Sequence, residues 1–454
     1  MLLDLQSDGM VARLALVLYG LILLALVLPR FRRCGALTRL IPGALVWHLI
    51  VFAFTSFWML PYYGSADCFW YHNDGLMVAQ LIRWGNWGGI SWGLGSAAIP
   101  IITGFLYAPF GGDVYGVLFF SAVLGLCAGL YLCRAFSLWA TPAQLRKYSL
   151  VILFLPSFAM WTGYFGKDSW IMMGLGLTAY GYSAMLKLRG SIGLWHVLAG
   201  VAIVTVIRPH IAVTLAASMA LAYLWGLTHA RHASSLAKFT MAIVLIAMFA
   251  LLASVARGFL GLSDVSADSV QEYARRRSAA NAFGGSAVEV QAAPGVAGAL
   301  RAFPRGVVRV VFQPFPWEIQ SFNTGLAAVE NLFIFWFALS HARRLRELLR
   351  GMVREPYVLF SSLLACTVLL MFSLMPNLGI LSRQRTQLLP FLFAPLIAAE
   401  TARKRVPRLA RVTLDVGWPY SRGRALSGPQ AFLPSTLMKC RILPSPRRTH
   451  GPAS

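Results

Sequence analysis

Five short segments hold most of the side chains that could bind an anion or move a proton. "SADCFWYHND" (65–74) carries Asp67, His72 and Asp74 within eight residues. "GYFGKDSW" places Lys167 beside Asp168, "RPH" carries Arg208 and His210, "QPFPWE" ends on Glu318, and "PNLGILSRQR" carries Arg383 and Arg385. Asp67 or His72 can serve as a general base if a hydroxyl comes within hydrogen-bond reach. Lys167, Arg208, Arg383 and Arg385 suit a phosphate or pyrophosphate, because ammonium and guanidinium groups donate charge-assisted bonds to its oxygens. A base facing such cations is what transfer from a lipid-phosphate donor to a hydroxyl acceptor requires.

The surroundings of these segments are strongly apolar. Of 454 residues, 58% are hydrophobic and 12% charged, with a mean hydropathy of +0.65. A soluble domain carries roughly 25% charged residues. Apolar runs of about 17–20 residues recur from "LALVLYGLILLALVL" to "LLPFLFAPLIAA", the length that crosses a bilayer as a helix. The expected fold class is therefore all-α, a polytopic integral membrane protein of about eleven spans. The spans are expected near 11–28, 42–60, 113–133, 148–165, 169–186, 193–207, 211–227, 239–256, 322–340, 356–375 and 386–400. The first run is followed by "PRFRR" and reads as a retained helix rather than a cleaved signal.

The net charge of +24 is concentrated in short connections such as "RFRRCGALTR" and "HARRLRELLR" and in the tail. That distribution marks cytoplasmic anchors, not a nucleic-acid surface. With basic connections inside, the N-terminus falls outside, and residues 401–454 form a basic, disordered cytoplasmic tail after a membrane domain of residues 1–400. Two outer loops remain, about 61–112 and about 257–320. In the first, "DGLMVAQLIRWGNW" is an amphipathic interfacial helix and "SAAIPIITGFLYAPFGG" an interfacial or re-entrant piece. The second is long and polar.

In this threading all five polar segments fall on the outer face. Bland readings exist for several of them. Asp168 is placed to cap the helix that follows it, Asp74 to cap the interfacial helix, Arg208 to end a helix before Pro209, and Trp317 to sit in an interfacial belt. Glu318 needs a partner. The spans carry almost no charge near their middles, which argues against a transporter, whose sites lie at the midplane. The six cysteines show no CxxC pairing, so neither a disulfide framework nor a metal site is expected.

"FLPSFAMWTGYFGKDSW", "IRPHIAV", "FQPFPWEIQSFNTGLAAVEN" and "NLGILSRQRTQLLPFLFA" together resemble motifs of a group of uncharacterised bacterial multi-spanning proteins of envelope and polysaccharide gene clusters. The usual forms are FPSxxFWxSxxGKD/E, RPH, RPFPWE and GxxxRxR; here Gln313 stands where the group shows Arg. More distantly the layout is similar to GT-C-type glycosyltransferases, which place a catalytic acid in the first outer loop. That resemblance implies Asp67 as the catalytic acid, with Lys167, Arg208, Arg383 and Arg385 against the donor phosphate. The chain departs from the pattern in lacking a paired acid. The implied setting is the bacterial inner membrane, with a lipid-linked sugar donor, a glycan acceptor and membrane lipids as partners. The cofactor is left open, a divalent cation among the candidates. A repeat-unit polymerase or ligase, and a transporter or flippase of a lipid-linked or anionic solute, are the alternative expectations.

Overall fold

In a computed structural model, the described residues are 4–32, 34–63, 67–188, 192–227, 235–261, 295–319, 322–342, 344–373 and 377–399. They are predominantly helical, with no strand among them. The tail expected from 401 lies outside them.

Helical residues lie along each expected span, but the boundaries differ and two of the spans are broken. The helices are α1 (Asp4–Val27), α2 (Ala36–Phe54), α3 (Asp67–Arg83), α4 (Ala98–Tyr107), α5 (Val114–Ser137), α6 (Pro142–Phe154) and α7 (Pro156–Gly163). They continue as α8 (Lys167–Leu188), α9 (Ile192–Ile207), α10 (Pro209–Leu227), α11 (Ser235–Leu260) and α12 (Gly295–Phe312). The last are α13 (Phe322–Ala342), α14 (Leu345–Arg354), α15 (Pro356–Phe372), α16 (Leu378–Gln384) and α17 (Leu389–Ala398). Among the described residues, five stretches are long and apolar enough to cross a membrane: Gly9–Phe31, Ala36–Tyr62, Val114–Ser137, Pro209–Gly226 and Phe239–Leu260.

The expected span 148–165 is broken. Pro156 lacks an N–H and forces the residue before it out of the helical region, and Leu155 is extended, with φ −64° and ψ 122°. The chain therefore makes α6 and then α7. The expected span 386–400 yields only the ten residues of α17, because residues 385–387 form a 3-10 turn first. In the second outer loop, 262–294 lie outside the described residues, and 295–312, expected as polar loop, form α12. Its sequence alternates faces: Val310 and Val311 are buried, while Arg305 is exposed.

The interior is built around α5, which is buried along most of its length and carries α8 on one side. Helices α8 and α9 pack closely as a hairpin. Their approach depends on glycine: a Cβ on Gly181 would stand 2.5 Å from the Gly193 carbonyl oxygen and 2.7 Å from the Val197 amide nitrogen. Small residues let helix backbones come this near in an apolar setting, where van der Waals contact drives association. Lys167 and Asp168 begin α8 at the end opposite this contact.

The segment expected as the first outer loop is also helical. The amphipathic helix begins at Asp67, seven residues before the expected start at Asp74, so Asp74 lies inside α3 and does not cap it. Asp67 and Tyr71, one turn apart, share a face of α3. Helix α4 packs against α3.

Candidate anion site

The geometry centres on Asp168, which is 1% exposed. It sits in the first turn of α8, but its carboxylate is committed to side chains rather than to capping. Arg383 Nε donates to Oδ2, Gln387 Nε2 donates to Oδ1 at 3.0 Å, and Arg208 Nη2 lies 3.9 Å from Oδ1. Burial by itself raises the carboxyl; Arg383 and then Arg208 outweigh it and hold the group below its usual range. The helix dipole adds to this, since a carboxylate is favoured at an N-terminus. A buried carboxylate with this company stays ionised.

Arg383 lies near the end of α16, whose start is capped by Asn377 accepting from the Gly379 and Ile380 amides. The guanidinium reaches in two directions. Its Nε takes Asp168, and its Nη1 donates to Asp67 Oδ2 at 3.2 Å. Its carbon stands 5.8 Å from the centre of the Trp161 ring on α7, a cation–π arrangement. Gly166 keeps this passage open: a Cβ there would stand 3.2 Å from Arg383 Nη2.

Lys167 donates from Nζ to Ser96 Oγ at 3.0 Å. Ser96 belongs to the turn before α4, so the second helix of the outer loop is tied to the start of α8. Burial, followed by repulsion from Arg208 and Arg383, lowers the Lys167 ammonium to about 8, against the opposing pull of Asp168 and Asp67. Tyr71 packs on Phe165, and burial followed by Asp67 raises its hydroxyl to about 12.

The structure therefore brings together Asp67, Lys167, Asp168, Arg208 and Arg383, from four widely separated segments. Exposure falls with depth: the Asp67 side chain is 54% exposed, while those of Arg383 and Asp168 are 20% and 1% exposed. Three expected members, His72, Glu318 and Arg385, lie elsewhere. His72 is half-buried with Nδ1 2.9 Å from the Tyr107 hydroxyl, on α4, and among the described residues it contacts none of the cluster; burial lowers its imidazole, with Asp113 opposing. His210 stacks on Phe259, ring centres 6.5 Å apart. Glu318 finds its partner inside its own loop, accepting from Gln313 Nε2 and from the Phe315 amide, both at 2.8 Å.

Arg385 is the clearest correction. It is fully buried and cannot meet a donor phosphate. Its Nη2 lies 3.6 Å from Glu330 Oε1, and its Nη1 donates to Asn331 and, at 3.3 Å each, to the Val311 and Gln313 carbonyls. Glu330 in turn accepts from the Ser157 amide at 2.7 Å and the Ser157 hydroxyl at 2.5 Å. A charge thus lies near the middle of α13, contrary to the expectation that the spans carry almost none. It is held by an arginine and by the N-terminus of α7.

Sequence reasoning missed Gln387, Ser96, Tyr71 and Trp161 around the site, since neutral side chains in apolar segments carry no signal of their own. Comparison with known proteins adds nothing further: no family model matches the chain, and no curated protein or solved structure matches it significantly.

Proposed function

We propose that the chain is a membrane-embedded, GT-C-like glycosyltransferase of bacterial envelope polysaccharide synthesis. It would act at the outer face of the inner membrane on a sugar linked to a polyprenyl phosphate. The observation that carries this reading is the convergence of Asp67, Lys167, Asp168, Arg208 and Arg383. Exposed Asp67 is the one carboxylate of the group open to an acceptor. In the reaction the acceptor hydroxyl oxygen attacks the anomeric carbon, and its proton passes to a carboxylate oxygen of Asp67. The bond from that carbon to the phosphate oxygen breaks, and the electron pair leaves on the phosphate. Lys167 and Arg383 face the developing charge. Asp168 holds Arg383 in place and touches no substrate.

Eleven crossings, an outside N-terminus and an inside tail belong to the same proposal. Side-chain bonds that join the first outer loop to Lys167 and Arg383 support them. Glu330 weakens the case against a transporter, but its oxygens are already taken by Ser157 and Arg385.

Complementation of a deletion strain tests the reading. Asp67→Asn, Lys167→Ala and Arg383→Ala variants that insert normally are expected to lose the envelope glycan. Wild-type glycan from all three would sink it. Accumulation of lipid-linked repeat units in the deletion strain would favour a polymerase or ligase instead.

A further inference from the structure

Asp67 is well placed to act on an acceptor only if it is free, and here it is not: its Oδ2 is held by Arg383 Nη1 at 3.2 Å. The two carboxylates on Arg383 differ in kind. Asp168 is sealed in, with Gln387 and Arg208 also on it. Asp67 is more than half exposed and stands at the first residue of α3. Arg383 therefore has one permanent anion and one that solvent, or another anion, can replace.

The charges favour a particular replacement. Lys167, Arg208 and Arg383 carry three positive charges, and Asp168 with Asp67 carry two negative ones, which leaves one positive charge over. A phosphodiester with one negative charge in place of Asp67 leaves the balance unchanged. A phosphomonoester with two negative charges brings it to zero. The sugar-linked donor of the proposed reaction is a diester; the phosphate that leaves it is a monoester. A site matched to the charge that appears only as the bond breaks is complementary to the transition state rather than to the donor.

We propose that Asp67 holds the place of a lipid phosphate on Arg383, and that the site is matched to the phosphomonoester leaving group. Binding of the phosphate and release of the Asp67 carboxylate are then one event: the donor frees the base that the acceptor needs. This rests on the glycosyl-transfer reading for the identity of the donor, but the exchange itself involves no sugar.

Binding to the purified full-length protein in detergent tests it, using dodecyl phosphate, a dodecyl methyl phosphate diester and inorganic phosphate. Dodecyl phosphate is expected to bind about tenfold more tightly than the diester, the size of one added charge-assisted bond. Asp67→Asn is expected to tighten dodecyl phosphate by roughly three- to tenfold, because a competing partly exposed ion pair is removed. Arg383→Gln should abolish the binding. An unchanged or weakened affinity in Asp67→Asn overturns the exchange, and equal affinity for monoester and diester overturns the match to the leaving group. Inorganic phosphate binding as tightly as dodecyl phosphate overturns a lipid as the source. Exposure of Asp67 makes misfolding of its Asn variant a small risk, and Arg383→Lys, which keeps the charge, is expected to retain part of the affinity. The outcomes separate from those of the complementation experiment: Asp67→Asn that binds phosphate more tightly yet restores the glycan keeps the exchange and removes Asp67 as the base.

Discussion

Lys167 is the side chain in the site whose charge is most easily changed. Its ordinary value of 10.5 falls to about 8 through burial and its guanidinium neighbours. Being lowered on folding, it makes the folded protein gain stability as pH rises from about 8 to 10.5, where the unfolded chain still holds the proton. Anion binding runs the other way, because the ammonium is present below that range and lost above it. Affinity for dodecyl phosphate is expected to fall up to about tenfold between roughly pH 7 and pH 9.5, and Lys167→Arg should flatten the slope. The phosphate does not titrate there, its second pKa being about 6. Tyr71, raised to about 12, does not titrate there either, and Arg208 and Arg383 stay charged. An equal slope in Lys167→Arg would remove Lys167 from the site. At this scale the sequence was informative where a charge ran against its setting: a lysine in a turn between apolar segments and an arginine before an apolar run both belong to the cluster. It misled where the charge was real but the partner invisible. Arg385 looks like Arg383 two residues on, yet a 3-10 turn sends it into the interior toward Glu330.

The all-helical class and the order of the apolar segments were legible from hydropathy; the number of helices and their ends were not. Periodicity sees apolar length; it does not see that Pro156 stops α6 or that Asp67 starts α3 a full two turns early. What it misses entirely is closeness of approach, and the site depends on that through the α8–α9 hairpin. At Gly181 the space is bounded by backbone, the Gly193 carbonyl and the Val197 amide, which cannot rotate aside as a side chain can. Gly181→Ala is expected to push the two helices apart at a cost of about 1–3 kcal/mol. Thermal inactivation of the detergent-solubilised protein should be faster, and dodecyl phosphate affinity should drop although the substitution is remote from the anion site. Normal stability with normal affinity would mean that α8 is positioned from elsewhere.

For the whole molecule, the side-chain bonds constrain how the chain threads a bilayer. Ser96 precedes α5 and Lys167 follows α7, yet they are 3.0 Å apart. They share one side, so the number of crossings between them is even. Helix α5 is long and apolar enough to supply one; in the proposed threading α6 and α7 together supply the other, although neither passes as a span alone. Their 13 and 8 residues, 21 in all, rise about 31 Å if laid end to end, close to the roughly 30 Å hydrocarbon core. By the same reasoning Asp168 and Arg208, 3.9 Å apart, require an even number of crossings from α8 and α9, two in the proposed threading. Arg383 on Asp67 makes an even number of everything between. Helix α14 falls on the opposite side in this threading. It turns 89° from α13 and exposes Arg346, Arg350 and Arg354 at four-residue spacing, as a cytoplasmic interfacial helix should. Cysteines introduced in a Cys366→Ser, Cys440→Ser background, where the remaining Cys34, Cys68, Cys127 and Cys133 are buried, read this directly with a membrane-impermeant maleimide on intact cells. Trp92→Cys, in the outer loop beside the anion site, is expected to label at once, and Arg350→Cys only after permeabilisation. Labelling of Arg350→Cys in intact cells would mean that α13 does not cross, and the anion site would then lie on the same side as the basic helix.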